Sequence, residues 1–294
     1  MANLRDLSLR MRAIQQTLQV TKAMKLISTA KLRVGRRALE DTEPFFLRIQ
    51  KTMYDMLSEA GMEKNKYLTA YDAVSSSRAA VVVISSDKGL AGGYNSTVFR
   101  YAEQLCSRVI NPALIPIGNI GYRYFTNSPW PILENFSLNS RLPTLDDAQE
   151  IADFILSQYL WGIFDEVFVV YTHMFSSVKL LTRERQLLPL GAKKLKEEME
   201  VIGSKLTPVK FEFWPSETEV LEQMVPLYIK GSLYGCLVEA FGSEHNARMA
   251  AMNEASKSAE EMLADLQIQY NRIRQAGITQ EMAEIIGGAA VLND

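Results

Sequence analysis

Histidine and cysteine are scarce in this 294-residue chain, which has two of each. His173 and His245 lie in different segments. No zinc-ligand spacing, serine triad or cysteine–histidine pair can be assembled from so few groups. Two cysteines, Cys106 and Cys236, make no disulfide framework. Both fall in apolar, helical stretches, so buried free thiols in a reducing compartment are expected. Long apolar runs are also missing. The longest, Ala79 to Ile84 and Val167 to Tyr171, are strand-sized, far short of the roughly 18 residues of a membrane span. The opening Met1-Ala2-Asn3-Leu4-Arg5-Asp6 lacks the apolar core of a signal peptide, so no targeting segment is expected. A net charge of -2 argues against a general nucleic-acid binder. The expectation is a soluble chain without a span of its own, free to dock on a membrane-bound partner.

What is present suffices for a real core: 47% of residues are hydrophobic and 22% charged. The two ends read alike. Leu4, Leu7, Met11, Ile14 and Leu18 step three, four, three, four, the stripe of a helix that suits a coiled-coil seam. The stripe drifts to Val20, Met24 and Ile27. Gly35 is a weak spot in it, and Pro44 predicts a kink or break before the pattern resumes through Ile49, Met53 and Met56. At the other end Met252, Ala255, Ala259, Met262, Leu266, Tyr270 and Ile273 keep the same spacing. No proline follows Leu227, and one helix from about Glu217 to Ile286 is predicted. Such a helix would be on the order of 100 Å long. Helices of that length cannot fold inside one small domain. They must project, and an antiparallel coiled coil of the two ends is expected.

Between them the period changes. Ala79 to Ile84, Ala113 to Ile117 and Glu166 to Tyr171 read as buried strands. Tyr94 to about Val109 and Leu145 to Leu160 read as helices, the latter opened by Asp146 and Asp147. Val178 to Leu188 and Val209 to Phe213 look like more exposed strands. Alternation of strand and helix predicts a mainly parallel sheet in a central Rossmann-like α/β domain. The fold class expected is therefore α/β, with residues 1–60 and 217–294 as one coiled coil and 76–214 as the domain inserted between them.

Three features invite a functional reading. The turn from Ser85 to Asn95, with Lys88, Gly89, Gly92 and Gly93, follows a strand and precedes a helix, where a phosphate cradle belongs. It matches neither the P-loop nor the dinucleotide spacing, and a tight turn with close helix–strand packing explains its glycines as well. No cofactor is expected. Secondly, from Met1 to Glu40 there are nine basic residues (Arg5, Arg10, Arg12, Lys22, Lys25, Lys31, Arg33, Arg36, Arg37) against Asp6 and Glu40, a net of +7. That is either a solvated face or the complement of an acidic partner. No aromatics interleave with these charges, as nucleic-acid stacking would require. Thirdly, the polar run Tyr270 to Glu281 is either an exposed helix face or a set of hydrogen-bonding contacts to a partner.

Motifs at both ends resemble the gamma subunit of bacterial and organellar F-type ATP synthases. At the start they are Leu4-Arg5, Ile14, Thr17, Val20-Thr21-Lys22-Ala23-Met24-Lys25-Leu26-Ile27-Ser28 and Ala30-Lys31-Leu32-Arg33. At the end they are Ser243-Glu244-His245, Ala247-Arg248-Met249, Ala251-Met252, Tyr270 to Ala276, Ile278 to Glu281 and Glu284 to Ala290. The turn Ser86-Asp87-Lys88-Gly89-Leu90 with Gly92-Gly93 and Asn95-Ser96 is similar too. The resemblance implies a rotating central stalk, not itself an enzyme, inside a ring of three alpha and three beta subunits, with catalysis on beta. Rotation driven by the membrane c-ring would couple ion flow to ATP synthesis or hydrolysis. It implies further that Met24 and Lys25 lie beside the segment carrying Arg274, Gln275, Thr279 and Glu281, and that this zone meets a beta subunit. A distance of tens of ångströms between Met24 and Arg274, or both termini folded into a compact ball, would require the central-stalk reading to be dropped. Ile285, Ile286 and Val291 would sit in an apolar bearing at the apex of the ring. The foot, with Phe213 and Trp214, would meet epsilon and the c-ring, placing the chain peripherally at the cytoplasmic face of the cell membrane. Two departures stand out. Trp214 precedes Pro215 where many relatives carry an acid, which puts a polar foot contact in doubt. Ala91 replaces the cysteine of chloroplast relatives, whose regulatory insertion is missing, so thiol regulation is not expected. Two alternatives use the same residues: a non-rotary coiled-coil scaffold of another complex, and a nucleotide-binding enzyme built on the glycine turn.

Overall fold

The computed structural model describes residues 4–59, 67, 78–176, 179–190, 214 and 216–291. Its order is α1 (Leu4–Glu59), β1 (Ala79–Ile84), α2 (Tyr94–Cys106), β2 (Pro112–Ile117), α3 (Asn119–Phe125), α4 (Leu145–Leu160), β3 (Glu166–Met174), β4 (Leu180–Leu188) and α5 (Glu217–Val291). The chain divides into two compact units, one of Met1–Ser28 with Arg248–Asp294 and one of Thr29–Ala247. The expected strand at Val209 to Phe213 lies outside the described residues.

In the larger unit the sheet runs β2-β1-β3-β4. β1 pairs in parallel with β2 (Val82 opposite Ile115) and with β3 (Val82 opposite Val169), while β4 returns antiparallel on β3. All six residues of β1 are buried, as the unbroken apolar run requires of a strand covered on both faces. Alternate side chains serve two cores. Ala80, Val82 and Ile84 face a cluster with α4 and with parts of α1 and α5. Val81 and Val83 face α2 and α3. Each such valine stabilises the fold by roughly 1.5–3 kcal/mol over an exposed one. β4 has a solvated face and alternates, with Leu181 and Arg183 outward.

α4 begins where Thr144 caps it. The Thr144 hydroxyl accepts from the Asp147 backbone N–H, and the Asp147 carboxylate accepts from the Thr144 N–H, a reciprocal capping box. The α3 helix was not expected from the sequence. It starts at Gly118, whose φ of 102° suits glycine, and a Cβ there would lie 2.4 Å from the Ser85 carbonyl oxygen.

Pro44 does not break the first helix, contrary to the sequence expectation. α1 is continuous over 56 residues. The missing N–H would have served Glu40, an exposed position where water can take the carbonyl. Tertiary packing holds the next turn: Phe46 stacks at a tilt on Tyr234, ring centroids 5.7 Å apart, and a Cβ on Gly231 would meet the same ring at 2.5 Å. Gly35 likewise admits Phe241, at 3.1 Å from a hypothetical Cβ. The glycines are therefore contact points of α1 with α5 within this unit.

Candidate functional site

In the smaller unit the first helix lies against the last. Lys25 Nζ donates to Asn253 Oδ1 at 2.7 Å, and Ser256 Oγ donates to Thr21 Oγ1 at 2.8 Å. Lys22 pairs with Glu260 at 2.7 Å. Residue numbers fall on one helix as they rise on the other, so the pairing is antiparallel, as expected.

The buried stripe follows a different path from the apolar one. Leu7, Thr21 and Ser28 are buried, whereas Val20 and Ile27 are exposed by more than half. On the partner helix Met252, Ser256, Ala259 and Leu266 are buried, and Met262 is 50% exposed. Leu263 takes the inward place instead. Small hydroxyl residues at the seam let the helices approach closely while their polar atoms satisfy each other. Hydrophobicity alone could not find Thr21, Ser28 and Ser256. The three–four spacing from Leu7 through Ile14, Leu18 and Thr21 to Ser28 was the signal available.

The register corrects one expectation. With Lys25 opposite Asn253, Arg274 lies twenty-one residues further along, about 30 Å of helix at 1.5 Å per residue. Met24 and Lys25 are therefore not beside Arg274, Gln275, Thr279 and Glu281. Arg274 falls opposite the start of α1, and the helix from Gln275 onward extends past the described α1 residues. Its side chains are accordingly open: Arg274, Gln275, Thr279 and Glu281 are exposed, and Thr279 turns its hydroxyl back to the Gln275 carbonyl at 2.9 Å. Ile278, Met282, Ile285 and Ile286 form a bare apolar stripe on this segment, with Ile285 at 71% exposure. Val291 ends the helix. At the other expected contact, Trp214 is 89% exposed, and Phe213 lies outside the described residues.

In the larger unit the glycine turn holds an anion of its own. Asp87 Oδ1 accepts from the Asn119 backbone N–H at 3.1 Å, the Asn119 side-chain amide at 3.0 Å and Ser137 Oγ at 2.8 Å. Its other oxygen accepts from the Ser140 N–H at 2.7 Å. A carboxylate in this place repels a phosphate by the same field that a cradle would use to attract one. Asn95 closes the turn, accepting from the Ser86 N–H at 3.1 Å and donating to Ser86 Oγ at 2.7 Å.

The histidines serve separate contacts. His173 Nδ1 meets Glu239 Oε2 at 2.7 Å, and Arg183 approaches the same carboxylate at 3.4 Å. His245 is buried edge-on to Phe241. Burial pushes the Cys106 thiol up to about 12 and the Cys236 thiol up to about 11, so both stay protonated and poorly nucleophilic. Among the described residues no group of three or more His, Cys, Asp or Glu is arranged to hold a metal, and no helix is long and apolar enough to cross a membrane.

Comparison with known proteins agrees with this arrangement. The family model described as ATP synthase matches residues 3–292. The ATP synthase gamma chain of Acetivibrio thermocellus is 39% identical over 294 residues, covering 99% of this chain and 100% of that one. The gamma chain of Ruminiclostridium cellulolyticum is 40% identical over 291 residues, 99% of each chain. Among solved structures, a chain of the Euglena gracilis mitochondrial ATP synthase (OSCP/F1/c-ring, rotational state 3) superposes with a TM-score of 0.67 at 16% identity, over 98% of this chain and 94% of that one, a likeness of fold. With nearly its whole length matched and its two ends paired as antiparallel helices, the chain belongs to the gamma-chain family of the ATP synthases.

Proposed function

We propose that this chain is the rotating central stalk of an F-type ATP synthase, coupling ion flow through a membrane c-ring to ATP synthesis or hydrolysis on beta subunits. It is a transmission part without chemistry of its own. The observation that carries this is the uncovered end of α5. Beyond Arg274 the helix has no partner among the described residues, yet it displays Ile278, Met282, Ile285 and Ile286 along one face. A single helix of under twenty residues is marginal in water, and a bare apolar stripe marks a partner surface. A sheath of alpha and beta subunits, three of each, supplies that cover. Ile285, Ile286 and Val291 then act as the bearing.

The remaining assignments follow from that placement. Arg274, Gln275, Thr279 and Glu281 contact the ring at one level of the helix pair. Met24 and Lys25 contact it, on an acidic lever of a beta subunit, at a level about 30 Å away. Trp214, with Phe213, belongs to the foot that meets epsilon and the c-ring, at the cytoplasmic face of the membrane. Residues 1–60 and 217–294 serve as the shaft and 76–214 as the domain at its foot. A stalk that turns against three equivalent sites makes them unequal and exchanges their states in turn, a coupling free energy carried mechanically.

Isolating the native complex and identifying its subunits is the direct test. This chain should co-purify with alpha and beta subunits in a one-to-three-to-three ratio. A chain recovered as a stable monomer, from cells whose ATP synthase assembles without it, overturns the assignment.

A further inference from the structure

Asp87 and Lys31 grip one residue from opposite ends. Ser140 donates its backbone N–H to Asp87 Oδ2 at 2.7 Å and accepts on its carbonyl from Lys31 Nζ at 2.6 Å. We propose that this Asp87–Ser140–Lys31 chain is the joint that fixes α1 to the central sheet against rotation, with Asp87 as its positioning residue. The inference rests on the stalk function proposed above and names where torque crosses from the sheet into a helix.

All of its parts lie in the larger unit. Asp87 follows the carboxyl end of β1 and accepts four hydrogen bonds. Besides Ser140 it takes three hydrogen bonds, two from Asn119 at the start of α3 and one from Ser137. The Ser137–Ser140 loop is thereby anchored to the end of the sheet. Asn139 and Ser140 both have left-handed backbones, φ 52° and 56°. Two consecutive non-glycine residues in that region persist only where surrounding contacts over-determine them. Here those contacts are Asp87 on one side and Lys31 on the other.

Apolar packing alone is a poor torque joint. Ile49, Met53 and Met56 bind the far part of α1 to the sheet core, but the hydrophobic effect that drives those contacts is non-directional. Hydrogen bonds fix direction as well as distance. A carboxylate and an ammonium holding the two peptide groups that flank Ser140 therefore resist twisting of α1 relative to the sheet.

The test uses the whole complex in inverted membrane vesicles, with Asp87→Ala, Lys31→Met and Lys31→Arg. ATP hydrolysis and ATP-driven membrane potential are read together with the amount of assembled complex. Asp87→Ala and Lys31→Met should keep hydrolysis per complex within about twofold while the potential per ATP hydrolysed falls about threefold or more, a loss of coupling without loss of turnover. Lys31→Arg, which keeps a donor, should restore the ratio. Equal ratios in all assembled complexes overturn the joint. If Asp87→Ala fails to assemble, Lys31→Met decides alone, because it leaves the Asp87 cluster intact. Failure of the unmodified chain to co-purify with alpha and beta subunits sinks the stalk function itself. A normal unmodified complex with indifferent variants sinks only the joint.

Discussion

Lys25 sits on the first helix with its ammonium against Asn253 of the last. Lys25→Glu replaces that donor by an acceptor and reverses the charge offered to an acidic partner. At a partly exposed position the lost hydrogen bond costs only about 1 kcal/mol. Assembly should survive, while ATP-driven ion pumping falls; unchanged pumping in vesicles removes Lys25 from the coupling contact. Asp147 makes a different prediction. Burial works against its charge, but hydrogen bonds from Arg141 and Thr144 outweigh that and hold its carboxyl below the ordinary value. A depressed folded value means the unfolded chain binds the proton more tightly. Its stabilisation is thus full above the unfolded carboxylate value of about 3.9 and fades as pH falls through the folded one. Asp147→Asn should lower the urea midpoint at pH 7 and narrow its deficit near pH 2.5; a deficit independent of pH refutes the linkage. The cap was half-legible beforehand. The acidic pair marked the helix start, but the box needs Thr144 and Asp147 read together.

Among the elements, α1 shows where local rules yield to packing. Pro44 predicted an interruption, and the helix runs through it because Phe46 and its neighbours are held against α5. Gly231 makes that contact possible. Gly231→Ala gains about 1 kcal/mol of helix propensity but drives a methyl into the Phe46 ring, and overpacking costs about 1–3 kcal/mol. Net destabilisation is expected, seen as a lower melting temperature. Phe46→Leu in the same chain should recover part of the loss, and strict additivity of the two changes would exclude the contact. The coiled-coil seam teaches the complementary lesson. Its heptad spacing was visible, yet the eye followed Val20 and Ile27 outward, because the inward places carry Thr21 and Ser28.

At the scale of the whole molecule, charge and cover decide. Seven net positive charges on the first forty residues, in a chain of net charge -2, suit an acidic partner, which the proposed ring would have to supply. Assembly from separated subunits should slow by about tenfold or more between low and physiological salt, as steered association does. A salt-independent rate, followed by light scattering on mixing, would mean that the basic face is merely solvated. The register belongs to this scale as well. Met24 and Arg274 were expected to share a contact zone, and the helix pair sets them about 30 Å apart, so the proposed stalk would meet its ring at two levels rather than one. By the distance criterion set from sequence the stalk reading would have fallen; the criterion took the wrong residue pair, and the reading stands instead on the family match and the side-by-side pairing of the termini.

Sequence alone determined the two long terminal helices, the buried parallel strands and the family, because periodicity and local motifs are short-range properties written directly in residue order. Which residues of one helix face which of the other was left to the tertiary structure. A heptad seam accepts several registers at similar apolar burial, and the choice among them fell to Thr21, Lys22 and Lys25 meeting Ser256, Glu260 and Asn253, polar contacts that exist only once the helices are together.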